Sequence, residues 1–201
     1  MRRLPLLILA AVASVSAACS PGPPDDRRYV SEVVAARAAK DAMLGGSADS
    51  PIPADQRSQH LPLVYFDPDP SYAVPAVFEQ APADQRSRVE MLTSTNQRRL
   101  MERLGVLRFS LNGQPLQLSA FLEVGQPADR LFVPFTDGTS GGETYRAGRY
   151  LDIMPSATGI YVVDFNRAYN PYCYYNPTYD CPFPPRENRL PVPIRAGERV
   201  R

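Results

Sequence analysis

The sequence predicts a mainly β domain, an antiparallel meander that forms a barrel or a sandwich, with one N-terminal α-helix. The first observation is a series of short apolar runs separated by turn residues after residue 60, a pattern typical of consecutive strands. The second is the dipeptide Asn112-Gly113 between two long runs, which favours a two-residue hairpin. The third is that no long helical run separates the strands, which argues against a parallel α/β sheet.

The helix is predicted from Asp26 to about Leu44. The residues that share one side of it at helical spacing are Tyr29, Val33, Ala36, Lys40 and Met43. Gly45-Gly46 then supplies a common end signal. Residues 47–59 follow and contain Pro51 and Pro53, so we expect a loop there.

Nine short runs beyond this loop are candidate strands. They are Pro62 to Phe66, Ala73 to Phe78, Arg88 to Thr93, Leu100 to Leu111, Leu116 to Glu123, Leu131 to Phe135, Arg149 to Met154, Tyr161 to Phe165 and Val192 to Ile194. In the run that precedes the hairpin, Leu107, Phe109 and Leu111 occupy alternate positions, which predicts one buried face. So many strands in succession favour a closed barrel or a sandwich.

The first 18 residues resemble an export signal. Arg2 and Arg3 form a basic start, an apolar run follows, and small residues precede a cleavage point after Ala18. We expect residues 1–18 to be a signal peptide that is removed and residues 19–26 to be a tether. Residues 27–201 are then expected to fold as a single β-rich domain with its N-terminal helix.

Cys19 follows that cleavage point, and the sequence Val-Ser-Ala-Ala-Cys resembles a bacterial lipoprotein box. We therefore expect Cys19 to carry lipid, including palmitate, and to anchor the protein to a membrane. Because Ser20 rather than an acidic residue follows, the expected location is the outer membrane, facing the periplasm. Cleavage by an ordinary signal peptidase, which would leave a free thiol at Cys19, remains open.

The charge balance argues against a nucleic-acid partner. Without residues 1–18 the chain carries 20 basic and 21 acidic side chains. It therefore has no excess of positive charge that would attract the phosphate backbone of a nucleic acid. Lys40 is the only lysine among the basic residues.

Cys173 and Cys181 remain as a pair if Cys19 is lipidated. In an oxidising periplasm their spacing predicts a small disulfide loop, although two buried free thiols remain an alternative. Metal binding is disfavoured, because the chain has one histidine and the spacing matches no standard zinc pattern. We expect neither a metal nor a cofactor.

Candidate catalytic groups are sparse. The one histidine, His60, follows a proline-rich loop, and no G-x-S-x-G motif is present. The carboxylates at predicted strand ends are Asp137, Glu143, Asp152 and Asp164. A buried pair of them would serve as acid and base at a barrel mouth, whereas the simpler interpretation is that they cap turns.

The stretch from Asp164 to Glu198, hereafter the terminal segment, is the most unusual part of the chain. It contains the pairs Asn170-Pro171 and Asn176-Pro177, which are typical of fixed turns. Its tyrosines are Tyr169, Tyr172, Tyr174, Tyr175 and Tyr179. Flat rings with polar tips suit sugars or aromatic ligands, but the same segment would also serve as a polar plug over a barrel end.

Two segments, PFTDGTSGGETYRAGRYLD and DFNRAYNPYCYYNPTYDCPFPPRENRLPVPIRAGE, resemble the signature of the bacterial domain-of-unknown-function 1684 family, here in the form of a lipoprotein. The resemblance covers roughly residues 38–199. It implies no activity, because the family has no established activity. It marks as signature positions Asp137, Thr139, Ser140, Gly141, Thr144, Tyr145, Gly148, Arg149, Tyr150, Asp164, Asn166, Tyr169, Asn170, Cys173, Asn176, Cys181, Pro182, Asn188 and Glu198.

The density of polar signature residues favours a pocket. The candidate ligand-binding residues are Lys40, Asp137, Arg149, Asp164, Asn170, Tyr172 and Asn176. We expect an envelope lipoprotein that binds a small polar ligand, a sugar or a cell-wall fragment. The alternatives are a carboxylate-dependent hydrolase or lyase and a non-catalytic envelope scaffold, in which the terminal segment only seals the fold.

Overall fold

A computed structural model of the chain describes residues 26–127, 129–155 and 160–201. The expected signal peptide, the lipidation site Cys19 and nearly all of the tether lie outside these ranges. Within the described ranges, no helix combines the length and the apolar character needed to cross a bilayer.

The elements follow the predicted order. The long helix α1 spans Asp26–Gly46, a one-turn helix α2 spans Arg57–His60, and seven strands come after it. The strands are β1 Ala73–Gln80, β2 Arg88–Leu92, β3 Arg98–Leu111, β4 Gln114–Glu123, β5 Leu131–Phe135, β6 Arg149–Ile153 and β7 Tyr161–Asp164. Short 3-10 turns connect several of these elements. The predicted mainly β class, with an N-terminal helix, is confirmed.

All strand pairs are antiparallel and belong to one sheet, in the order β6-β5-β4-β3-β1-β7, with β2 paired to β3. The sheet curls into a nearly closed barrel. The end strand β6 meets the segment that follows the other end strand, β7, because the backbone N–H groups of Tyr150 and Tyr169 donate to each other's carbonyl oxygens at 2.9 and 3.0 Å. Of the two architectures that the sequence left open, the barrel is therefore the better description.

The predicted hairpin joins β3 and β4. Asn112 and Gly113 have positive φ angles of 51° and 77°, as a two-residue turn of the primed type requires. Leu111 pairs with Gln114 across it. Leu107, Phe109 and Leu111 face the interior as predicted, because the side chains of a strand alternate between its two faces.

Two of the nine predicted strands are wrong, Pro62 to Phe66 and Val192 to Ile194. Each is an extended segment whose backbone groups form single hydrogen bonds with different residues and no continuous ladder with one strand. Leu63 N–H donates to the Asp41 carboxylate at 3.0 Å, and Ile194 N–H donates to the Asp137 carboxylate at 3.0 Å. Proline has no N–H to donate to a ladder, and prolines occupy positions 62, 191 and 193.

The main core fills the barrel. Its fully buried residues include Leu107, Leu118, Val133, Phe135, Val163, Phe165 and Ile194. Helix α1 packs on this body with Val33 and Leu44, its two buried residues. Leu44 joins Ile52 and Tyr175 in a separate cluster, which ties the end of α1 to the terminal segment.

Isolated backbone bridges and buried side chains, rather than a continuous strand ladder, attach the terminal segment to the sheet. Asn188 is fully buried, and its amide group donates to the carbonyl oxygens of Ser119 and Pro134 at 2.9 and 2.8 Å. Its side-chain oxygen accepts from Ser119 N–H at 2.7 Å. One asparagine thus supplies partners that a neighbouring strand would otherwise provide.

Candidate functional site

The predicted ligand-binding residues do not converge on one cavity. Arg149, on β6, and Asp137 form an ion pair of 3.0 Å inside the protein, and both side chains are buried. The Arg149 guanidinium also donates to the carbonyl oxygens of Ile194, Ala196 and Glu198 at 2.8, 2.5 and 3.1 Å. These contacts hold the terminal segment, and Arg149 lines neither of the two clefts described below.

Asp164 lies on the α1 side of the barrel. Its carboxylate accepts from the Tyr29 hydroxyl at 2.7 Å and from Arg167 at 3.0 Å. Burial, followed by the hydrogen bond to Asp164, raises the pKa of Tyr29, so this hydroxyl stays protonated and remains a donor. Asp164 therefore anchors α1, and it lines neither of these clefts.

The two predicted asparagines make their contacts within the protein, Asn170 with the end of the chain and Asn176 with its own turn. Asn170 is buried, and its backbone N–H donates to the Glu198 carboxylate at 2.8 Å. Asn176 accepts from the backbone and hydroxyl of Thr178 at 3.0 and 2.8 Å, as expected for a turn. The turn interpretation of Asn176-Pro177 is therefore the one that its contacts support.

The largest cleft has a volume of about 770 Å³ and lies between α1, the barrel wall and the terminal segment. Lys40 and Tyr172 are the two predicted ligand-binding residues that line it. The complete lining is Lys40, Met43, Leu44, Arg99, Met101, Leu122, Glu123, Gln126, Pro127, Asp129, Arg130, Phe132, Tyr150, Asp152, Tyr169, Pro171, Tyr172, Tyr179, Asp180, Cys181 and Pro182. We take this cleft as the candidate site.

Two arginines of the cleft each lie between two carboxylates. Arg99, on β3, contacts Asp180 at 3.0 Å and Glu123 at 3.7 Å. Arg130 contacts Asp129 at 3.4 Å and Asp152 at 3.8 Å. The pairs are partly exposed, so they contribute little to stability, but they hold charged hydrogen-bonding groups in place around the cleft.

Aromatic rings form another part of the wall. The Tyr169 hydroxyl donates to Asp152 at 2.9 Å, and its ring lies 4.9 Å from the Lys40 ammonium. Tyr172 is the most open of these rings, with 42% of its surface exposed, and it contacts Tyr179 edge-on at 5.4 Å between ring centroids. Exposed tyrosine rings in a concave site offer stacking surfaces with a polar tip.

Lys40 stands at the boundary between this cleft and a smaller one of about 200 Å³ under α1, because it lines both. Its ammonium contacts the Glu198 carboxylate at 2.5 Å. Glu198 is 1% exposed and also accepts from the Tyr175 hydroxyl at 2.8 Å. The carboxylate is thus buried but fully paired, as buried charges must be.

Cys173 and Cys181 are adjacent free thiols in the structure, and the predicted disulfide therefore stays a prediction. The Cys173 N–H donates to the Cys181 sulfur at 3.2 Å. The hydrogen bond from the Cys181 thiol lowers the pKa of Cys173 to about 6, and the same interaction raises the pKa of Cys181. In the described part of the chain, no cluster of three or more His, Cys, Asp and Glu side chains could hold a metal ion.

Sequence reasoning missed most charged residues of the cleft. Of the four carboxylates proposed as acid and base candidates, Asp152 alone lines the cleft. The residues without a sequence signal are Arg99, Glu123, Asp129, Arg130 and Asp180. Strand register brings several of them together, since Phe132 pairs with Asp152 and Met101 with Glu123. No local motif could have shown this.

Comparisons with known proteins place the chain among proteins without a described activity. A family model described as "Protein of unknown function (DUF1684)" matches residues 59–199. A solution NMR structure of an uncharacterized protein from Haloarcula marismortui is 35% identical, with a TM-score of 0.68, covering 88% of this chain and 96% of that one. The comparison with curated proteins found no match.

Proposed function

The chain belongs to the DUF1684 family of proteins of unknown function, and we propose that its largest cleft binds a small polar ligand, a sugar or a cell-wall fragment. The observation that carries this proposal is that the exposed ring of Tyr172, beside Tyr179, and several paired charged groups line the same cleft. Sugars bind through this combination, with ring stacking on one face and hydrogen bonds from hydroxyls to charged partners.

The charges of the cleft argue against an anionic ligand. Four carboxylates and three basic side chains line it. The two arginines are paired within the lining, and Lys40 is paired to the buried Glu198. Among the described residues of the lining, no basic group is left to attract an anion, but many donors and acceptors remain for hydroxyl groups. The size is also suitable, since small-molecule sites are typically about 300–1,000 Å³.

Binding is better supported than catalysis. A hydrolase of the predicted kind needs one carboxyl group that stays protonated as an acid. Hydrogen bonds from Thr93 and Thr95 instead lower the pKa of Asp180, so this carboxylate stays ionised and serves as an acceptor. Asp137, Glu143 and Asp164 do not line the cleft.

The test is a thermal-shift and calorimetric screen of the full chain against neutral sugars and soluble peptidoglycan fragments. A ligand of this site should raise the melting temperature in a saturable way. Tyr172→Ala should weaken its binding about tenfold, because it removes the stacking face, while Tyr172→Phe should retain most of the affinity.

Arg130→Gln tests the polar side of the same cleft, with Arg88→Gln as its control. Arg88 is an exposed arginine on β2 that does not line the cleft. We expect weaker binding for Arg130→Gln and unchanged binding for the control. Equal affinity in wild type, Tyr172→Ala and Arg130→Gln would exclude the cleft, and no binding of any sugar or fragment would favour the scaffold alternative.

We further propose that the protein is exported and acylated at Cys19, which would place the cleft at the outer membrane, facing the periplasm. The support is the lipoprotein-like sequence before Cys19. Metabolic labelling with an alkynyl fatty acid should tag the wild type and not Cys19→Ala. Equal labelling of both would contradict lipidation at this position.

A further inference from the structure

The smaller cleft, of about 200 Å³, lies under α1 and differs from the larger one in its charge. Its lining includes the basic residues Arg37, Lys40 and Arg167 and one carboxylate, Glu198. Lys40 is paired with Glu198, and Arg167 with Asp164. The cleft therefore has an excess of positive charge, unlike the larger cleft beside it.

Arg37 is the basic group of this cleft that lacks a carboxylate partner. It is half-buried, and its terminal nitrogens donate to the neutral carbonyl oxygens of Phe66 and Asn166 at 2.8 and 3.2 Å. Within residues 26–127, 129–155 and 160–201, no carboxylate forms an ion pair with it. Burial is the largest cause that lowers the pKa of Arg37, which reflects the cost of keeping this charge away from water.

Two buried donors at the same cleft also lack a hydrogen-bond partner among the described residues. They are the Nε of Arg37 and the hydroxyl of Tyr65. The Arg37 guanidinium stacks over the Tyr65 ring at 4.4 Å from its centroid, so the two groups belong to one local cluster. Burial, then the charges of Glu198 and Asp41, raise the pKa of Tyr65, and its hydroxyl stays protonated and able to donate. Buried donors without acceptors are uncommon and costly.

We propose that this cleft is a site for a small anion, a phosphate or carboxylate group, held by Arg37 and Tyr65. Such a group offers only acceptors and supplies the negative partner that the Arg37 charge lacks. A guanidinium is the side chain best suited to bind it. The site is separate from the sugar site and does not rest on it, although Lys40 and Tyr169 line both clefts.

The test titrates inorganic phosphate and acetate, in separate arms, into the full chain at an ionic strength held constant with sodium chloride. A specific site gives a saturable rise in melting temperature beyond the chloride control. A response to phosphate alone identifies a phosphoryl site, a response to acetate alone identifies a carboxylate site, and a response to both supports the shared anion chemistry. No saturable response to either anion would overturn the proposal.

Tyr65→Phe and Arg37→Gln should each weaken anion binding about tenfold or more, since each loses a hydrogen bond to a charged group. Arg27→Gln, an exposed arginine on the same helix, should bind as wild type does. Tyr172→Ala should also keep full anion binding, which separates this site from the sugar site. Unchanged anion affinity in Tyr65→Phe would overturn the assignment, and this variant suffices if Arg37→Gln fails to fold.

Tyr65→Phe has a second readout. Without added anion, removal of a buried hydroxyl that has no partner among the described residues should leave the melting temperature unchanged or raise it. With saturating anion, the variant should melt below wild type. A variant that melts below wild type equally with and without anion would show that the hydroxyl has a structural partner, and would contradict its role in anion binding.

Discussion

The ammonium of Lys40, in the C-terminal half of α1, contacts the carboxylate of Glu198 near the end of the chain at 2.5 Å. The Lys40 side chain is 27% exposed and that of Glu198 is 1% exposed. Glu198 also accepts from the Asn170 N–H and the Tyr175 hydroxyl. One carboxylate thus joins the helix, the terminal segment and the wall between the two clefts.

Removal of one member of this pair should be costly. Lys40→Met leaves the buried Glu198 charge without its cation, and we expect a loss of about 3–5 kcal/mol in the free energy of unfolding, measured by urea denaturation. The control is Glu32→Gln, which breaks the exposed pair with Arg28 and should change stability by about 0.5 kcal/mol or less. Equal effects of the two substitutions would contradict the role assigned to Lys40.

Arg149→Lys should not behave as a conservative change. The Arg149 guanidinium reaches Asp137 and three carbonyl oxygens of the terminal segment at once, and one ammonium cannot replace that planar fork. We expect a loss of about 3 kcal/mol or more in denaturant unfolding. We also expect faster limited proteolysis after residue 190. Wild-type stability and protease resistance in Arg149→Lys would contradict this assignment.

Gly105, at the irregular register between β3 and β4, should not tolerate a side chain. A Cβ there would overlap the backbone carbonyl oxygen of Glu79 on the neighbouring strand. We expect Gly105→Ala to cost about 3 kcal/mol, at the upper end of overpacking effects. Gly46→Ala is the control, because no atom of the described residues lies within 4 Å of the position that a Cβ would take there, and alanine should be neutral or stabilising by up to about 1 kcal/mol. Thermal or urea unfolding measures both, and similar losses would contradict the steric argument.

Cys173 should react as a thiolate at neutral pH. Its pKa is lowered to about 6 by the hydrogen bond from Cys181, so the anionic form prevails above that pH. In a Cys19→Ser background we expect the rate of alkylation by iodoacetamide at Cys173 to rise with a midpoint near pH 6. Cys181→Ala should shift the midpoint upwards, towards the ordinary value of about 8.5. A wild-type midpoint above pH 8 would contradict the hydrogen bond.

The predicted disulfide is tested by mass spectrometry of protein from an oxidising compartment, with and without reductant. The two thiols are close enough to share a hydrogen bond, so oxidation should join Cys173 to Cys181 and lower the mass by two hydrogens. Two free thiols in the non-reduced sample would contradict the disulfide.

Local features of the sequence sufficed for most of the fold. Seven of nine strands, the long helix and the Asn112-Gly113 turn follow from short-range patterns, because alternation and turn chemistry act over a few residues. The two wrong strands contain or adjoin prolines 62, 191 and 193, and there the N–H groups of Leu63 and Ile194 donate to carboxylates instead of to a neighbouring strand.

The candidate site was predicted less well, for a physical reason. The polar signature residues Asp137, Arg149 and Asn170 suggested a pocket, but their side chains satisfy backbone groups near the end of the chain, which meets the sheet through isolated bridges and not through a ladder. Buried backbone groups need partners, and a segment without a ladder takes them from side chains. Sequence alone does not distinguish such a polar residue from a ligand contact.

The sequence by itself determined the element types, the hairpin and the antiparallel β class. It also marked Lys40 and Tyr172, which line the cleft, as candidate ligand-binding residues. Only the tertiary structure decided that the barrel nearly closes, that Arg149 is internal, and that Arg99 and Arg130 line a cleft. The reason is that cleft walls arise from strand register and from contacts between residues far apart in the chain. Lys40 meets Glu198 only when α1 and the terminal segment come together, and Arg130 meets Asp152 only when β5 pairs with β6.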